Sequence, residues 1–323
     1  MNPVEVVVVG SYNHDHVWRT PHFPVPGETR LGAFSSGPGG KGFNQAVAAA
    51  RQGAKTAFIA AFGCDVIGDG ALALAQAEGI APHIERRSDA ATGTAAILVD
   101  ASGQNLIVVG PGANAQLSVE HIQAQATTIG TAKVLVTQHE VNPAATRCAL
   151  ELARAAGTLT LHNPAPPLAD EDGSLLDRVD VLTPNETEFA HLLARCTGEQ
   201  LQAQTLASLP DAQLHALCRK LGVPTVLITL GARGIFVSHD AEDARGDNAL
   251  FYRVPAETVT VRDTTGAGDA FTGALAAAIA HDATSTFRTA ICHACRVAGL
   301  SVEREGAALA MPMRAEVEAR FGG

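Results

Sequence analysis

One segment of the sequence combines a carboxylate with small residues that could bind an anion. It reads Asp263-Thr264-Thr265-Gly266-Ala267-Gly268-Asp269 and leads directly into the helix-forming run AFTGALAAAIA. Small residues before a helix leave backbone N–H groups directed at one point, where the helix dipole adds positive potential. Such a point suits a phosphate, or the charge that develops on a phosphoryl group during transfer. Asp269 could accept a proton from a substrate hydroxyl, or it could only cap the helix.

A glycine-rich segment, Gly37-Pro38-Gly39-Gly40-Lys41-Gly42-Phe43-Asn44, precedes another helical run. It is not a P-loop, because Gly42 follows Lys41 where a P-loop needs Ser or Thr. Its glycines allow a ligand to approach the backbone closely, and the amide of Asn44 can both donate to and accept from hydroxyls. The segment indicates a site for a polar ligand, or otherwise a tight turn that opens the helix.

Three further polar segments, residues 10–15, 183–188 and 229–234, each follow an apolar, strand-like run. In open α/β sheets the ligand crevice borders the carboxyl ends of the strands. Asn13 and Asp15 carry short polar side chains of the kind that bind sugar hydroxyls. The first of these segments is not a dinucleotide-binding fingerprint, because no Gly-x-Gly-x-x-Gly follows the strand.

The elements that must position these segments alternate along the chain. Apolar runs predict buried strands at residues 4–9, 56–62, 133–137, 158–162, 179–183 and 225–229. Helical patterns that stop at a glycine lie between several of them, at residues 44–51, 70–78, 143–156 and 213–221. This alternation favours right-handed βαβ units and a mostly parallel sheet. Residues 269–321 are predicted to be mainly helical.

Two regions interrupt the alternation. Residues 17–34, with three prolines, are typical of extended chain, and residues 94–109 contain two strand-like runs joined by the hairpin signal ASGQ. We expect these lid segments, at about residues 15–36 and 94–110, to form a small antiparallel β-sheet over a cleft. An ordinary edge extension of the main sheet is the alternative.

Composition limits the class of protein and its partners. The chain has 323 residues, a net charge of −10 and 46% hydrophobic residues, which suits a single α/β domain over residues 1–323. The acidic balance argues against nucleic acid or an anionic membrane as a partner. The longest apolar stretch, residues 270–280, falls short of the ~20 residues that a bilayer needs. Six cysteines are too few for a disulfide scaffold, so we expect a cytoplasmic protein.

Together, these segments resemble the ribokinase-like carbohydrate kinases, the PfkB group, over nearly the whole chain. Residues 39–54, GGKGFNQAVAAARQGA, look like the first signature of that family, and residues 263–271, DTTGAGDAF, look like the second. Further motifs at residues 13–15, 26–29, 112–114, 163–166 and 183–188 are similar, in the same order, to the members that act on D-ribose. The resemblance implies a three-layer αβα sandwich with a mostly parallel central sheet and a small β lid.

The resemblance also implies a role for each site residue. Asp269 would be the catalytic base, beside an anion hole formed by Gly266, Ala267 and Gly268. The residues that would hold the sugar are Asn13, Asp15, Gly39, Gly40, Lys41, Asn44, Glu140 and Asp269. The residues that would contact the nucleotide are Asn185, Thr229, Gly231, Gly234 and Gly268. Glu188 would help to organise Mg²⁺ and phosphate through water.

A potassium site is implied as well. Its donors would be Asp263 and Thr265, with backbone groups near Ser301, Arg304, Gly306 and Ala310, a set of hard oxygens that suits a monovalent cation. The alternative is that Arg304 takes the place of the cation. This sequence departs from the family pattern at Phe43, Cys295, Arg296 and Ala310, which bears on the exact sugar, the nucleobase preference and the affinity for potassium.

The implied reaction is the ATP-dependent phosphorylation of the 5-hydroxyl of D-ribose, with Mg²⁺ and K⁺ as cofactors. Within the family, the alternative is a kinase for another sugar or for a nucleoside. Outside it, the alternative is a non-catalytic sugar-binding protein, although such a protein would have no need of Asp269. Edge strands in a lid often pair between subunits, so we expect a homodimer through the lid.

Overall fold

The strands form two sheets in the computed structural model, which describes residues 3–281 and 286–322. The strands are β1 Val6–Val9, β2 Asn13–Arg19, β3 Ala33–Gly39, β4 Thr56–Gly63, β5 Ala81–Arg87, β6 Thr94–Val99, β7 Asn105–Gly110, β8 Val134–Thr137, β9 Leu159–His162, β10 Val181–Leu182, β11 Thr225–Thr229, β12 Ile235–His239 and β13 Phe251–Val254.

The helices fill the connections between the strands and the end of the chain. They are α1 Lys41–Arg51, α2 Val66–Ala77, α3 Val119–Ala124, α4 Ala126–Thr131, α5 Pro143–Ala156, α6 Glu186–Thr197, α7 Ala203–Leu206, α8 Asp211–Arg219, α9 Ala267–His281, α10 Phe287–Ser301 and α11 Arg314–Phe321. Short 3₁₀ turns lie at Gly112–Gln116, Leu176–Arg178, Gly231–Arg233 and Ala308–Ala310. Within the two described ranges, no helix combines the length and the apolarity that crossing a bilayer requires.

The large sheet has the strand order β13-β12-β11-β10-β9-β8-β1-β4-β5. Its strands are parallel from β11 to β5, and β12 and β13 add an antiparallel edge. Alternate residues of β1 enter different cores: Val6 and Val8 pack in one buried cluster with residues of α1, α9 and α10, and Val7 and Val9 pack in another with residues of α5, α6 and α8. The expected three-layer αβα sandwich is therefore confirmed.

The small sheet has the order β3-β2-β6-β7. Its outer pairs, β2–β3 and β6–β7, are antiparallel, as expected, but its central pair, β2–β6, is parallel. The prediction of an antiparallel sheet is therefore wrong at this pair. The reason lies in the large sheet, where the strands β1 and β5 run in the same direction and have their carboxyl ends on the same side. Because β2 follows β1 and β6 follows β5, both strands leave that side of the large sheet in the same direction.

The two faces of the small sheet differ in chemistry, because successive side chains of a strand point to opposite faces. One face of β2 carries Asn13 and Asp15. The other carries His16 and Trp18, which contact Phe34 of β3 with ring centroids 6.0 and 5.1 Å away. Trp18 is 38% exposed and Phe34 is 56% exposed, so this second face presents apolar rings to solvent.

Candidate active site

A cleft of about 460 Å³, including its open mouth, lies where several parallel strands end. It brings together eight of the residues singled out from the sequence, which are Lys41, Asn185, Glu188, Thr229, Gly266, Ala267, Gly268 and Asp269. Four other residues complete its wall: Asn163, Ala165, Thr183 and Thr264. Segments far apart in sequence therefore meet in one place.

Asp269 lies in the first turn of α9 and is only 6% exposed. Its Oδ2 accepts a hydrogen bond from Nδ2 of Asn44, and its Oδ1 accepts one from Nε2 of Gln45, both at 2.9 Å. Both donors belong to α1. Asp269 is the third residue of its own helix and bonds to another one, so the reading of this carboxylate as a mere helix cap is wrong.

The residues before Asp269 form the turn that starts α9. Gly266 has a φ of +74°, a conformation that favours glycine, and its carbonyl accepts the helical hydrogen bond from Ala270 N–H at 2.8 Å. The N–H groups of a first helical turn have no partner within the helix, and the helix dipole makes that end positive. Ala267 and Gly268 lie at that end and line the cleft, which suits an anion hole.

Lys41 supplies positive charge among carboxylates. Burial alone would lower the pKa of its ammonium group, but the attraction of Asp269, Glu140 and Glu188 outweighs burial and raises that pKa. Lys41 is therefore charged at neutral pH. A cation here offsets the mutual repulsion of these acids and can attract an anionic substrate.

Asp15 has the opposite balance. Burial, together with the negative charges of Glu140 and Asp269, raises the pKa of its carboxyl to about 7. The carboxylate packs against Gly39 of the neighbouring strand, where an added Cβ would lie 2.2 Å from Asp15 Oδ2. A side chain at position 39 would therefore displace the Asp15 carboxylate. The pKa of about 7 means that this carboxyl changes its charge near neutral pH.

The other residues predicted to hold the sugar surround these acids. Glu140 accepts hydrogen bonds from Ser11 Oγ at 2.5 Å and from the N–H of Lys41 at 2.9 Å. Oδ1 of Asn13 accepts from Nδ2 of Asn114 at 3.0 Å. Oδ1 of Asn44 is buried and has no partner among the described residues, so it offers an acceptor that a sugar hydroxyl could satisfy.

Gly40 and Gly42 explain why this segment is rich in glycine. Gly40 has a φ of +88°, and an added Cβ would lie 2.5 Å from the backbone nitrogen of Asn13. At Gly42, an added Cβ would lie 2.5 Å from the nitrogen of Ser11. The start of α1 thus packs directly on the chain that follows β1, and this contact holds together the two segments that are predicted to bind the sugar.

Asn185 and Glu188 form a reciprocal cap at the start of α6. Oδ1 of Asn185 accepts from the N–H of Glu188 at 2.9 Å, and the Glu188 carboxylate accepts from the N–H and Nδ2 of Asn185 at 2.8 and 2.9 Å. Burial raises the pKa of Glu188. Thr229 pairs with Asn185 as an isolated parallel bridge, so these three residues share the same end of the cleft.

Gly231 and Gly234 lie in the turn after β11, outside the group of residues that lines the cleft. Gly234 has a φ of +84°, and an added Cβ would lie 2.0 Å from the carbonyl oxygen of Val254. Close packing against β13 therefore accounts for the glycine at 234. The nucleotide role of both glycines stays a prediction.

The residues predicted to bind potassium are only partly brought together. Oδ1 of Asp263 accepts from the N–H of Thr265 at 2.9 Å, and Oδ2 accepts from the N–H of Gly306 at 3.1 Å. The Arg304 guanidinium pairs with Glu316 at 2.7 Å, so it does not take the place of a cation. A carboxylate that joins two loops directly behind the anion-hole turn provides hard oxygen, as K⁺ requires.

The last two predicted members of that set are buried. The Ser301 hydroxyl donates to the carbonyl of Ala298 in its own helix at 2.8 Å. Ala310 has no side-chain oxygen and is 2% exposed. Ala310 can therefore contribute to a cation only through its backbone carbonyl, whereas the Ser301 hydroxyl keeps lone pairs beside its own carbonyl oxygen.

The residues that depart from the family pattern have structural roles. Phe43 is fully buried, with its ring 5.2 Å from that of Tyr12, so it packs in the core. Cys295 is buried in α10, and Arg296 lies 3.6 Å from the carboxylate of Glu257. Phe43 therefore does not alter the sugar site by direct contact.

Sequence reasoning assigned no role to three buried amides, Gln45, Gln138 and Asn163, or to Ser11. Gln45 contacts Asp269 directly, and Gln138 and Asn163 contact Gln45. Gln45 follows Asn44 within the first signature, and Gln138 precedes the pair His139-Glu140. Asn163 begins the motif at residues 163–166, and Ser11 lies in the polar segment at residues 10–15, but neither signal indicates a contact with Gln45 or Glu140.

The match to a known family decides what kind of protein this is. Residues 4–314 match the family described as pfkB family carbohydrate kinase. The chain belongs to the pfkB family of carbohydrate kinases. This pfkB-family kinase is accordingly a phosphotransferase that acts on an alcohol group.

Individual relatives of this pfkB-family kinase are similar over nearly its whole length. It is 38% identical to the ribokinase of Mus musculus over 314 residues, which cover 97% of this chain and 93% of that protein. It is 33% identical to the deoxyribokinase of Salmonella typhi over 279 residues, 84% and 85% of the two chains. The solved structure of Arabidopsis thaliana ribokinase complexed with ribose and ATP is 28% identical, with a TM-score of 0.80 and 98% of both chains covered.

Proposed function

We propose that this protein transfers the γ-phosphoryl group of ATP to the 5-hydroxyl of D-ribose, with release of ADP and D-ribose 5-phosphate. The observation that carries the proposal is the Asp269 carboxylate, which is buried, held by two amide donors and placed in one cleft with Lys41 and the first turn of α9. A base near a hydroxyl and positive groups near a transferred anion are the parts that the reaction requires. Similarity to curated ribokinases supports ribose as the acceptor.

Phosphoryl transfer depends on positioning and on electrostatic stabilisation more than on covalent chemistry. Asn13, Asp15, Asn44 and Glu140 hold the sugar through its hydroxyls. Asp269 accepts the proton of the 5-hydroxyl as that oxygen attacks the γ-phosphorus. The N–H groups at the start of α9 and the ammonium of Lys41 stabilise the charge on the transferred group.

Two cations belong to the proposal. Glu188, which lines the cleft, would organise Mg²⁺ and the phosphates through water, and Asp263 with nearby backbone carbonyls would hold K⁺. When bound, the two ions supply positive charge to the phosphates and to the back of the anion-hole turn. Asn185 and Thr229, with Gly231 and Gly234 in the adjacent turn, would contact the nucleotide.

We further propose that the whole chain is one kinase domain, that the small sheet is its lid, and that the lid joins two copies into a homodimer. Apolar side chains on the lid support this proposal: Trp18, Phe34 and Val108 are 38%, 56% and 72% exposed. Exposed edges of a sheet and contiguous apolar patches favour pairing with another chain. Sedimentation of wild-type protein and of Val108→Lys tests this, and a monomeric wild type contradicts it.

The cytoplasm is the proposed compartment. All six cysteines are unpaired, as is usual in a reducing compartment.

The decisive experiment measures ADP release with D-ribose, 2-deoxy-D-ribose, D-xylose, D-fructose and adenosine as acceptors. We expect the highest kcat/KM with D-ribose, and phosphorus NMR of the product should place the phosphate on the 5-oxygen. The Asp269→Asn variant, purified in parallel, controls for contaminating kinases. Absence of ADP release with every acceptor, despite ribose binding by calorimetry, would instead identify a non-catalytic sugar-binding protein.

2-Deoxy-D-ribose is the second candidate acceptor, because a deoxyribokinase is 33% identical to this chain. The two sugars differ only in the 2-hydroxyl, so the ratio of their kcat/KM values measures how much this site uses that group. A buried hydrogen bond to a charged partner is worth about 1.5–3 kcal/mol. If a charged side chain binds the 2-hydroxyl, the preference for ribose should therefore be roughly tenfold or more.

A further inference from the structure

We propose that Gln45 is a positioning residue that fixes the orientation of the Asp269 carboxylate, and that Gln138 and Asn163 fix Gln45 in turn. The inference rests on the proposed role of Asp269 as the base. Three buried amides that take no direct part in the proposed reaction would then have a role, which is to hold that base in place.

Gln45 commits its whole amide group to this network. It is fully buried, and its Nε2 donates to Asp269 Oδ1 at 2.9 Å and to Asn163 Oδ1 at 3.2 Å. Its Oε1 accepts from Nε2 of Gln138 at 2.7 Å. With both N–H groups and the oxygen engaged, Gln45 acts on the reaction through Asp269.

The orientation of each amide follows from a single backbone carbonyl. The carbonyl of Thr183 can only accept, so the group of Asn163 that faces it at 2.9 Å is Nδ2. Oδ1 of Asn163 therefore faces Gln45, and the Gln45 group that donates to it is Nε2. The backbone at Thr183 thus determines, through two amides, that an N–H donor and not a lone pair faces Asp269.

Gln138 contacts the other atom of the Gln45 amide, its oxygen. Because its nitrogen faces Asp269, its oxygen faces Gln138, which donates. Oε1 of Gln138 is then buried without a partner among the described residues, next to Gly10, where an added Cβ would lie 2.1 Å away. The fold keeps an unsatisfied oxygen, usually a costly arrangement, and a glycine to make room for it. Both features are explained if the orientation of Gln45 matters.

An N–H donor on each oxygen holds a carboxylate in one orientation, because rotation would break both hydrogen bonds. The donor on Oδ2 is Asn44, which also belongs to the proposed sugar site, whereas the donor on Oδ1 is Gln45. Without Gln45, Oδ1 would have no donor and the carboxylate would be freer to rotate. The base would then be correctly placed for a smaller fraction of the time.

The test replaces Gln45 with Met, which has a similar shape and no hydrogen-bonding amide. We expect kcat to fall about 10- to 100-fold. The Kd for ribose should change by less than about threefold, because protein groups engage the whole amide of Gln45. An unchanged kcat would overturn the proposal, as would a loss of ribose affinity as large as the loss of kcat.

Gln52→Met is the matched control. Gln52 is also a buried glutamine at α1, 1% exposed, but its amide bonds the carbonyl of Pro312 at 2.8 Å and faces His293 at 3.0 Å, at the other end of the helix. Removing this amide carries the cost of any buried glutamine without touching Asp269. We expect its kcat to stay within about twofold of wild type. Equal behaviour of the two variants contradicts the positioning role.

Gln138→Met provides a second route if Gln45→Met does not fold, judged by circular dichroism. It leaves Gln45 in place but removes the donor to its oxygen, so kcat should fall by a smaller factor while the Kd for ribose stays near that of wild type. An unchanged kcat overturns the proposal. Asp269→Asn distinguishes the role of Asp269 from that of Gln45. If this variant keeps the wild-type rate, Asp269 is not the base. If it is inactive while Gln45→Met has the wild-type rate, only the inference about Gln45 fails.

Discussion

Replacing Asp15 with Asn should make the ligand-free protein more stable at pH 8 while it weakens ribose binding. The pKa of this carboxyl is about 7 in the folded protein, against an ordinary value of 3.8, chiefly because of burial and then because of Glu140 and Asp269. Between these two values the folded protein holds a proton that the unfolded chain has lost. The free energy of unfolding therefore falls as pH rises from about 4 to about 7 and stays lower above that.

The size of the effect follows from that difference in pKa. A rise of about three pH units corresponds to roughly 4 kcal/mol of destabilisation when Asp15 is fully ionised. The side chain keeps some contact with solvent, which screens its neighbours, so we expect about half of this, ~2 kcal/mol, to be recovered by Asp15→Asn at pH 8. The gain should shrink as the pH is lowered toward 5, because the wild-type carboxyl then binds its proton.

Urea unfolding of both proteins from pH 5 to pH 8, without sugar or nucleotide, measures this gain. Asp65→Asn serves as a control of opposite sign. Burial would raise the pKa of Asp65, but hydrogen bonds from Thr92 and Gly68 outweigh burial and lower it. This carboxyl is therefore ionised in the folded and the unfolded chain throughout pH 5 to 8, and Asp65→Asn should be less stable than wild type by the same amount at every pH in that range. An Asp15→Asn protein that is no more stable than wild type at pH 8, or whose gain is the same at every pH, refutes the reasoning.

The binding half of the experiment uses calorimetry. Ribose hydroxyls donate to the ionised carboxylate, so the Kd of Asp15→Asn for ribose should rise about tenfold or more at pH 8, with little change for ATP. In the wild type, ribose affinity should fall as the pH drops below 7, and in the variant this dependence should disappear. Unchanged ribose affinity in the variant would remove Asp15 from the sugar site.

Three further predictions concern the same cleft. Asp269→Asn should lower kcat by about 10²–10⁴-fold with little change in the ribose Kd by calorimetry, and a variant that keeps more than about a tenth of the rate contradicts the base assignment. Potassium should raise the steady-state rate above that in sodium alone, and Asp263→Ala should lose the response; a wild-type rate independent of potassium rules out activation. Gly39→Ala should weaken ribose binding more than ATP binding, because the new Cβ would lie 2.2 Å from Asp15 Oδ2. A ribose affinity equal to that of wild type in calorimetry would contradict this.

Local signals located the elements whose ends are marked in the sequence. The strand at Thr225–Thr229 and the helix at Pro143–Ala156 have the predicted bounds. The helix is well marked because Asn142 caps its start and Gly157, with a φ of +78°, ends it. By contrast, α1 begins three residues before the predicted start at Asn44, because the glycines there reflect packing against the chain after β1 and do not mark the end of a loop.

Features that depend on contacts between distant segments could not be predicted in the same way. The strands β5 and β13 are the edges of the large sheet and are only partly buried. The neighbouring strand β12 is buried but ends in Ser238 and His239, so none of the three is a continuous apolar run. The parallel pairing of β2 with β6 depends on where β1 and β5 end. The family signatures identified Asp269 and Asn44, but Gln45 became recognisable only when α9 was seen to pack on α1.

The strand β2 has a kinetic consequence. Asn13 and Asp15, near its start, belong to the proposed sugar site, and Trp18 and Arg19, at its end, lie in the exposed part of the small sheet. Any displacement of that sheet would therefore move the sugar ligands with it. Departure of the sugar phosphate and opening of the cleft would be a single kinetic step, and a mutation far out on the sheet could change turnover without altering the proton transfer at Asp269.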